Sequence, residues 1–126
     1  PYLFMDLGKK ITGGRYHAYR KSKKYELAGI PRIVHLKTKK LKTLKTRGGG
    51  RKDVLLACDI ANILDKNGKS KRAKIKNVIE TKANRFLARQ NILVKGAIVE
   101  TELGKARITS RPGQEGSINA VLIEEQ

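Results

Sequence analysis

Regular alternation of apolar and polar positions is confined to the second part of the chain. Val54, Leu56, Cys58 and Ile60 alternate with Leu55, Ala57, Asp59 and Ala61, a pattern that suits a strand buried largely on both faces. Asp65-Lys66-Asn67-Gly68 reads as a turn, because Asn-Gly tolerates the positive φ a hairpin needs. Ala73-Lys74-Ile75-Lys76 resumes the alternation with lysines outward, which predicts a hairpin over about 54–79. Residues 82–90 predict one short helix with Thr81 as its N-cap. At about 100° per residue, Ala83, Phe86 and Leu87 share one helix face, and Lys82, Arg85 and Arg89 the other. Residues 92–94 and 97–101 read as strand segments around Gly96, and Leu103-Gly104 as the next turn. Residues 105–109 alternate again, 110–116 form a loop, and 118–123 close with an apolar strand. Short strands at close spacing with one helix predict a mainly β fold, a small antiparallel β-barrel or sandwich.

The first part is different. Residues 1–35 show no sustained period, and Gly13-Gly14, Gly29 and Pro31 interrupt any element. Residues 36–46 mix Leu and Thr with Lys as an exposed basic strand, and Arg47-Gly48-Gly49-Gly50-Arg51-Lys52 reads as a flexible joint with charged ends. The expected organisation is therefore a long, basic, irregular N-terminal extension over 1–50 and a small β-barrel domain over 51–126.

Charge separates the same two parts. Residues 1–52 carry 16 of the 29 Lys and Arg but only two acids, Asp6 and Glu26, a formal +14; the remainder of the chain is only +4. Like charges at that density oppose compaction, and a polyanion relieves them; nucleic acid offers the densest regular array of negative charge. High charge with few large apolar residues marks a segment that orders on its partner. Polybasic segments also bind anionic membranes, but that use calls for an amphipathic helix or a lipid site, and 1–52 shows neither. No apolar run is long enough to span a bilayer. The opening Pro1-Tyr2-Leu3-Phe4-Met5 is too short for a signal-peptide core.

The candidate chemistry is that of binding. Tyr16, His17, Tyr19 and Tyr25 lie among Arg15, Arg20, Lys21, Lys23 and Lys24, a mixture in which cations hold phosphates and rings stack on unpaired bases. Gly13-Gly14 and Gly48-Gly49-Gly50 let the backbone approach phosphates. Gly68-Lys69-Ser70 matches the end of a P-loop, but that motif needs a glycine where Ile63 stands. Cys58 is the single cysteine, which fits a reducing compartment, and with two distant histidines, His17 and His35, it makes no zinc site. Glu100 and Glu102 could share a strand face as an acid–base pair, yet no nucleophile, metal cluster or histidine lies near in sequence, so a polar strand end is the better reading. We expect no catalytic residues, no cofactor and no small-molecule substrate. On composition alone, a free RNA- or DNA-packaging protein is one reading of this chemistry.

Several stretches carry a resemblance. Lys10-Ile11-Thr12-Gly13-Gly14, then Tyr19-Arg20-Lys21 and Lys24-Tyr25-Glu26, resemble the start of the archaeal and eukaryotic small-subunit ribosomal protein family S-eight-e. Arg47-Gly48-Gly49 is similar to its central element, Thr101-Glu102-Leu103-Gly104-Lys105-Ala106-Arg107-Ile108-Thr109-Ser110-Arg111-Pro112-Gly113-Gln114 to its C-terminal signature, and Asn119-Ala120-Val121-Leu122 to its closing strand. Gly29-Ile30-Pro31 stands where the family often has Gly-Arg-Pro. The resemblance runs from about residue 8 to the end and fits the short archaeal form, without the long eukaryotic insertion. It implies a structural constituent of the small subunit of the cytoplasmic ribosome that supports translation, has no enzymatic activity, and has small-subunit ribosomal RNA and neighbouring ribosomal proteins as partners. The residues expected to meet RNA are Lys9, Lys10, Gly13, Gly14, Arg15, Tyr16, Arg20, Lys21, Lys23, Lys24, Lys39, Lys40, Arg47, Arg51 and Lys52, followed by Arg85, Arg89 and Arg111.

Overall fold

Among the described residues, seven strands and one five-residue helix follow one another as β1 (Lys40–Lys45), β2 (Arg51–Ala57), β3 (Ile60–Leu64), β4 (Ser70–Glu80), α1 (Arg85–Arg89), β5 (Ile98–Thr101), β6 (Gly104–Ile108) and β7 (Asn119–Leu122). This is a computed structural model, and it describes residues 8–17 and 20–123. The chain divides into two units, Pro1–Pro31 and Arg32–Gln126.

Strands β3 to β7 form a closed barrel in the order β3-β4-β5-β6-β7. Four of the five pairings are antiparallel. The barrel closes through a parallel β3–β7 pair, with Asn62 opposite Asn119 and Leu64 opposite Val121. A five-stranded barrel has a narrow interior, and the inward positions answer with small and β-branched residues in turn: Ala61 and Ile63, Ala73 and Ile75, Ala106 and Ile108. Thr101 is also inward; its hydroxyl donates to the Gly104 carbonyl at 2.7 Å, so burial leaves that group satisfied.

β1 and β2 form a separate two-stranded ribbon. The alternating run from Val54 to Ala61, read from sequence as one strand, is broken at Cys58-Asp59: β2 pairs with β1, and β3 turns away to pair with β4. Burial on both faces of the run does hold for Val54 and Leu55, each 0% exposed. The loop after β6 explains part of it. The Leu55 amide donates to the Pro112 carbonyl at 3.1 Å, and Pro112 is fully buried. Gly116 lies so close that a Cβ there would sit 3.3 Å from Asp53 Cβ.

Three further elements differ from the expectation. The compact unit begins at Arg32, upstream of the 50/51 division drawn from charge. Val34 is 1% exposed in the core, and His35 bridges β2 to the segment after the helix, donating to the Leu56 carbonyl and accepting from Cys58, both at 3.1 Å. The Arg47–Lys52 joint is a tight turn: the Thr46 amide donates to the Gly50 carbonyl at 2.8 Å, and Gly48 and Gly49 both take φ of 82°. Residues 92–94 form no strand; Ile92 makes only an isolated bridge to His35.

The helix is shorter than 82–90 and is capped by Asn84 rather than Thr81. The Asn84 Oδ1 accepts from the Phe86 amide at 2.9 Å, while Thr81 is buried at the end of β4. Asn91 ends the helix with a left-handed φ of 52°. Its amide donates to the Ala88 carbonyl and the Ile92 amide to the Leu87 carbonyl, each at 3.0 Å, which is a Schellman motif built on asparagine.

Candidate nucleic-acid interface

The residues expected to meet RNA fall into three groups. The first lies in the N-terminal unit. Lys9 and Arg15 form an isolated antiparallel bridge around a turn in which the Lys10 amide donates to the Gly14 carbonyl at 2.8 Å and the Gly13 amide to the Lys10 carbonyl at 2.9 Å. Gly13 takes φ of 82°, the conformation the turn requires. This brings the Lys10 ammonium to 5.5 Å from the centre of the Tyr16 ring, so cation and ring are presented together. Further on, Arg20 and Glu26 pair in a two-pronged geometry, Nη1 to Oε2 at 2.8 Å and Nη2 to Oε1 at 2.7 Å, and the Lys23 amide donates to Glu26 Oε2 at 2.9 Å. The Arg20 guanidinium, with the Lys23 amide, holds the Glu26 carboxyl at about 2, well below the usual carboxylate range. Arg20 is therefore first a brace for its own turn. Lys21, Lys23 and Lys24 stay exposed around it, as do Ile11, Tyr16, Tyr25, Leu27 and Ile30. Tyr19 lies outside the described residues. Of residues 8–17 and 20–31, only Ser22 is even half-buried. A segment that buries nothing has no core of its own to offset its ordering entropy.

The second group is the β1–β2 ribbon. Residues 37–52 contain eight Lys and Arg and no acid. Antiparallel pairing places Lys45 directly opposite Arg51 and Leu44 opposite Lys52. Arg47 sits at the exposed turn, with Lys39 and Lys40 at the other end of β1. The nearest acid on the ribbon, Asp53, accepts a hydrogen bond from the Thr43 hydroxyl. Lys52 reaches the loop after β6, donating to Gln114 Oε1 at 2.6 Å. The ribbon also presents Lys42 and Lys45, which were absent from the expected set although they continue the same lysine run; the Leu and Thr between them were the available signal.

The third group is dispersed over the barrel unit. Arg85 and Arg89 flank Phe86, their guanidinium carbons 5.4 and 5.8 Å from its ring centre. Of the expected apolar face, Phe86 is 53% exposed and Ala83 exposed while Leu87 is half-buried, and it is Ala88 that packs against the core. Arg111 is exposed, but its carbonyl accepts from the Gln114 and Glu115 amides, so the residue also shapes the loop that covers the ribbon base.

The alternative chemistry finds no assembled site. Glu100 faces Lys105 across the β5–β6 ladder, and Glu102 lies in the turn beyond β5. Among the described residues no group of three or more His, Cys, Asp or Glu gathers around a point that could hold a metal, and no helix is long and apolar enough to cross a membrane.

Comparison with known proteins shows the family. A family model described as ribosomal protein S8e matches residues 6–123. The small ribosomal subunit protein eS8 of Methanocorpusculum labreanum is 50% identical over 117 residues, covering 92% of this chain and 94% of the relative. That of Sulfurisphaera tokodaii is 49% identical over 119 residues, covering 93% of each, and that of Methanosarcina barkeri 44% identical over 117 residues, covering 92% and 94%. The match spans the basic turn at Lys9–Arg15, the ribbon and the whole barrel, and by it the chain belongs to the ribosomal protein S8e family.

Proposed function

We propose that this protein is a structural constituent of the small ribosomal subunit in the cytoplasm, and that it acts by binding ribosomal RNA. The observation that carries the RNA contact is the ribbon: eight cations without an acid over residues 37–52, with Lys45 and Arg51 held side by side. Like charges directly opposite on a ladder destabilise a free hairpin, so the ribbon gains from an anionic partner. Phosphates of two RNA strands supply it, and the condensed counterions they release drive association. The extension contributes the second contact. Its exposed lysines, arginines and tyrosines thread among RNA helices and take their final order there. The barrel is the rigid block that fixes where the ribbon points. Neighbouring ribosomal proteins complete the surroundings. This is a role in assembly and support, without catalysis.

The test is binding to small-subunit ribosomal RNA over a range of salt. Affinity should fall by roughly 0.7–0.9 log units per log unit of salt for each phosphate neutralised. A slope near zero rejects the reading. Cosedimentation with small subunits at moderate salt, in preference to bulk DNA, separates a ribosomal constituent from a free packaging protein.

A further inference from the structure

We propose that Phe86 is a stacking platform for one unpaired RNA base, with Arg85 and Arg89 holding the phosphates beside that base. The proposal rests on the RNA-binding reading above and adds to it a contact that senses whether the strand is paired. Phe86 is 53% exposed on a helix that buries none of its residues, and it is not part of the core cluster, so much of its ring is open to a ligand. An exposed phenyl ring alone says little. Here it is bracketed by two guanidinium groups at 5.4 and 5.8 Å, near the outer limit for a cation above a ring. Such loose contacts yield readily to a base, and the released guanidinium swings to the adjoining phosphate.

A second feature is shared by the two arginines. A cleft of about 480 Å³ is lined by Asn77, Val78, Ile79, Arg85, Ala88, Arg89 and Asn91. The cleft is open to solvent, so it offers the edge of a base a surface to lie on without enclosing it. Both asparagines are oriented by one backbone group: the Val78 amide donates to Asn77 Oδ1 at 2.9 Å and to Asn91 Oδ1 at 3.2 Å. Their carbonyl oxygens are thus committed, and among the described residues neither Nδ2 group donates to a protein acceptor. Two amide donors in a cleft that Arg85 and Arg89 also line suit the carbonyl and ring-nitrogen acceptors on a base edge. The surrounding charge selects a nucleic acid over a protein partner: residues 74–95 contain six Lys and Arg and one acid, Glu80. A duplex covers the faces of its bases, so only an unpaired nucleotide can use the ring.

The experiment uses the full chain and two probes, a short oligoadenylate carrying one 2-aminopurine and a blunt RNA duplex of similar charge. Wild-type protein should quench the 2-aminopurine on binding. Phe86→Ala should abolish the quench and weaken oligoadenylate binding by roughly tenfold, with duplex affinity and salt dependence unchanged. Phe86→Trp should keep both quench and affinity, and since the side chain lies outside the core, all forms should melt together. Oligoadenylate binding by Phe86→Ala equal to wild type overturns the platform, as does an equal loss on the duplex. Wild-type protein that binds neither probe overturns the RNA-binding reading itself.

Discussion

Lys45 and Arg51 stand directly opposite one another at the end of the β1–β2 ladder. Two cations in that position repel across a gap that opposite charges or apolar side chains would fill with profit. The protein keeps them there, next to a turn that fixes both. If the ribbon binds RNA as proposed, stability of the free chain and affinity for a polyanion are set against each other at one pair of residues.

Exchanging that repulsion for attraction should therefore move the two properties in opposite directions. Lys45→Glu is expected to raise the stability of the free protein by about 0.2–1 kcal/mol and to weaken RNA binding and its salt slope. Thermal unfolding and filter binding on the same sample read both. A variant that loses stability, or binds RNA as before, contradicts the role given to the ribbon.

The boundary of the folded unit has its own test. Removal of residues 1–31 should leave a cooperative melt, because the core and its bridges through His35 remain. Removal of residues 1–50 also takes away Val34, at 1% exposure, and strand β1. That fragment should melt broadly or not fold. In the full chain, Val34→Ala should cost about 2 kcal/mol, the loss of buried methyl groups plus the space they leave. Urea unfolding followed by circular dichroism checks all three.

The Arg20–Glu26 pair makes a pH-dependent prediction. Glu26 titrates at about 2 instead of the ordinary value of 4.5, because its charged form accepts from Arg20 and from the Lys23 amide. A lowered folded value means that the pairing stabilises the turn fully above about pH 4.5 and fades as pH falls towards 2. Carboxyl carbon shifts followed by NMR should show that midpoint. Arg20→Gln should return it towards 4.5; an unchanged midpoint would mean that another group holds the carboxylate.

The cap of the short helix can be removed cleanly. Asn84→Ala deletes the acceptor for the Phe86 amide and is expected to cost about 1 kcal/mol. Thr81→Ala removes a buried hydroxyl that meets no partner, and should cost less. Equal losses would place the cap where the sequence pattern put it.

Much of the architecture was legible because it depends on neighbours in sequence. The period of two at Ala73-Lys74-Ile75-Lys76 and at Lys105-Ala106-Arg107-Ile108 marks strands β4 and β6, and Asn67-Gly68 marks the hairpin between β3 and β4. Cation density in the first part was equally legible, since net charge needs no fold to be counted, and it is what the RNA-binding proposal starts from. The candidate surface was legible only as composition: Lys40, Arg47, Arg51 and Lys52 were expected, whereas Lys42 and Lys45 were not, because which lysines share a ribbon depends on register.

What the chain decided by itself was therefore local: alternation, turn chemistry, a basic extension and the resemblance carried by its signature stretches. Tertiary structure decided what depends on distant partners. The alternating run after Val54 breaks at Cys58-Asp59 because two different strands, β1 and β4, compete for its two halves. Val34 joins the core because the segment around His35 finds backbone partners on both β2 and Ile92. The helix starts later than Thr81 would begin it because Asn84 caps it, its side chain accepting from the Phe86 amide. Each of these outcomes is settled by hydrogen bonds and burial between residues far apart in the chain or by a cap whose geometry exists only once the helix is in place, and periodicity carries no record of either.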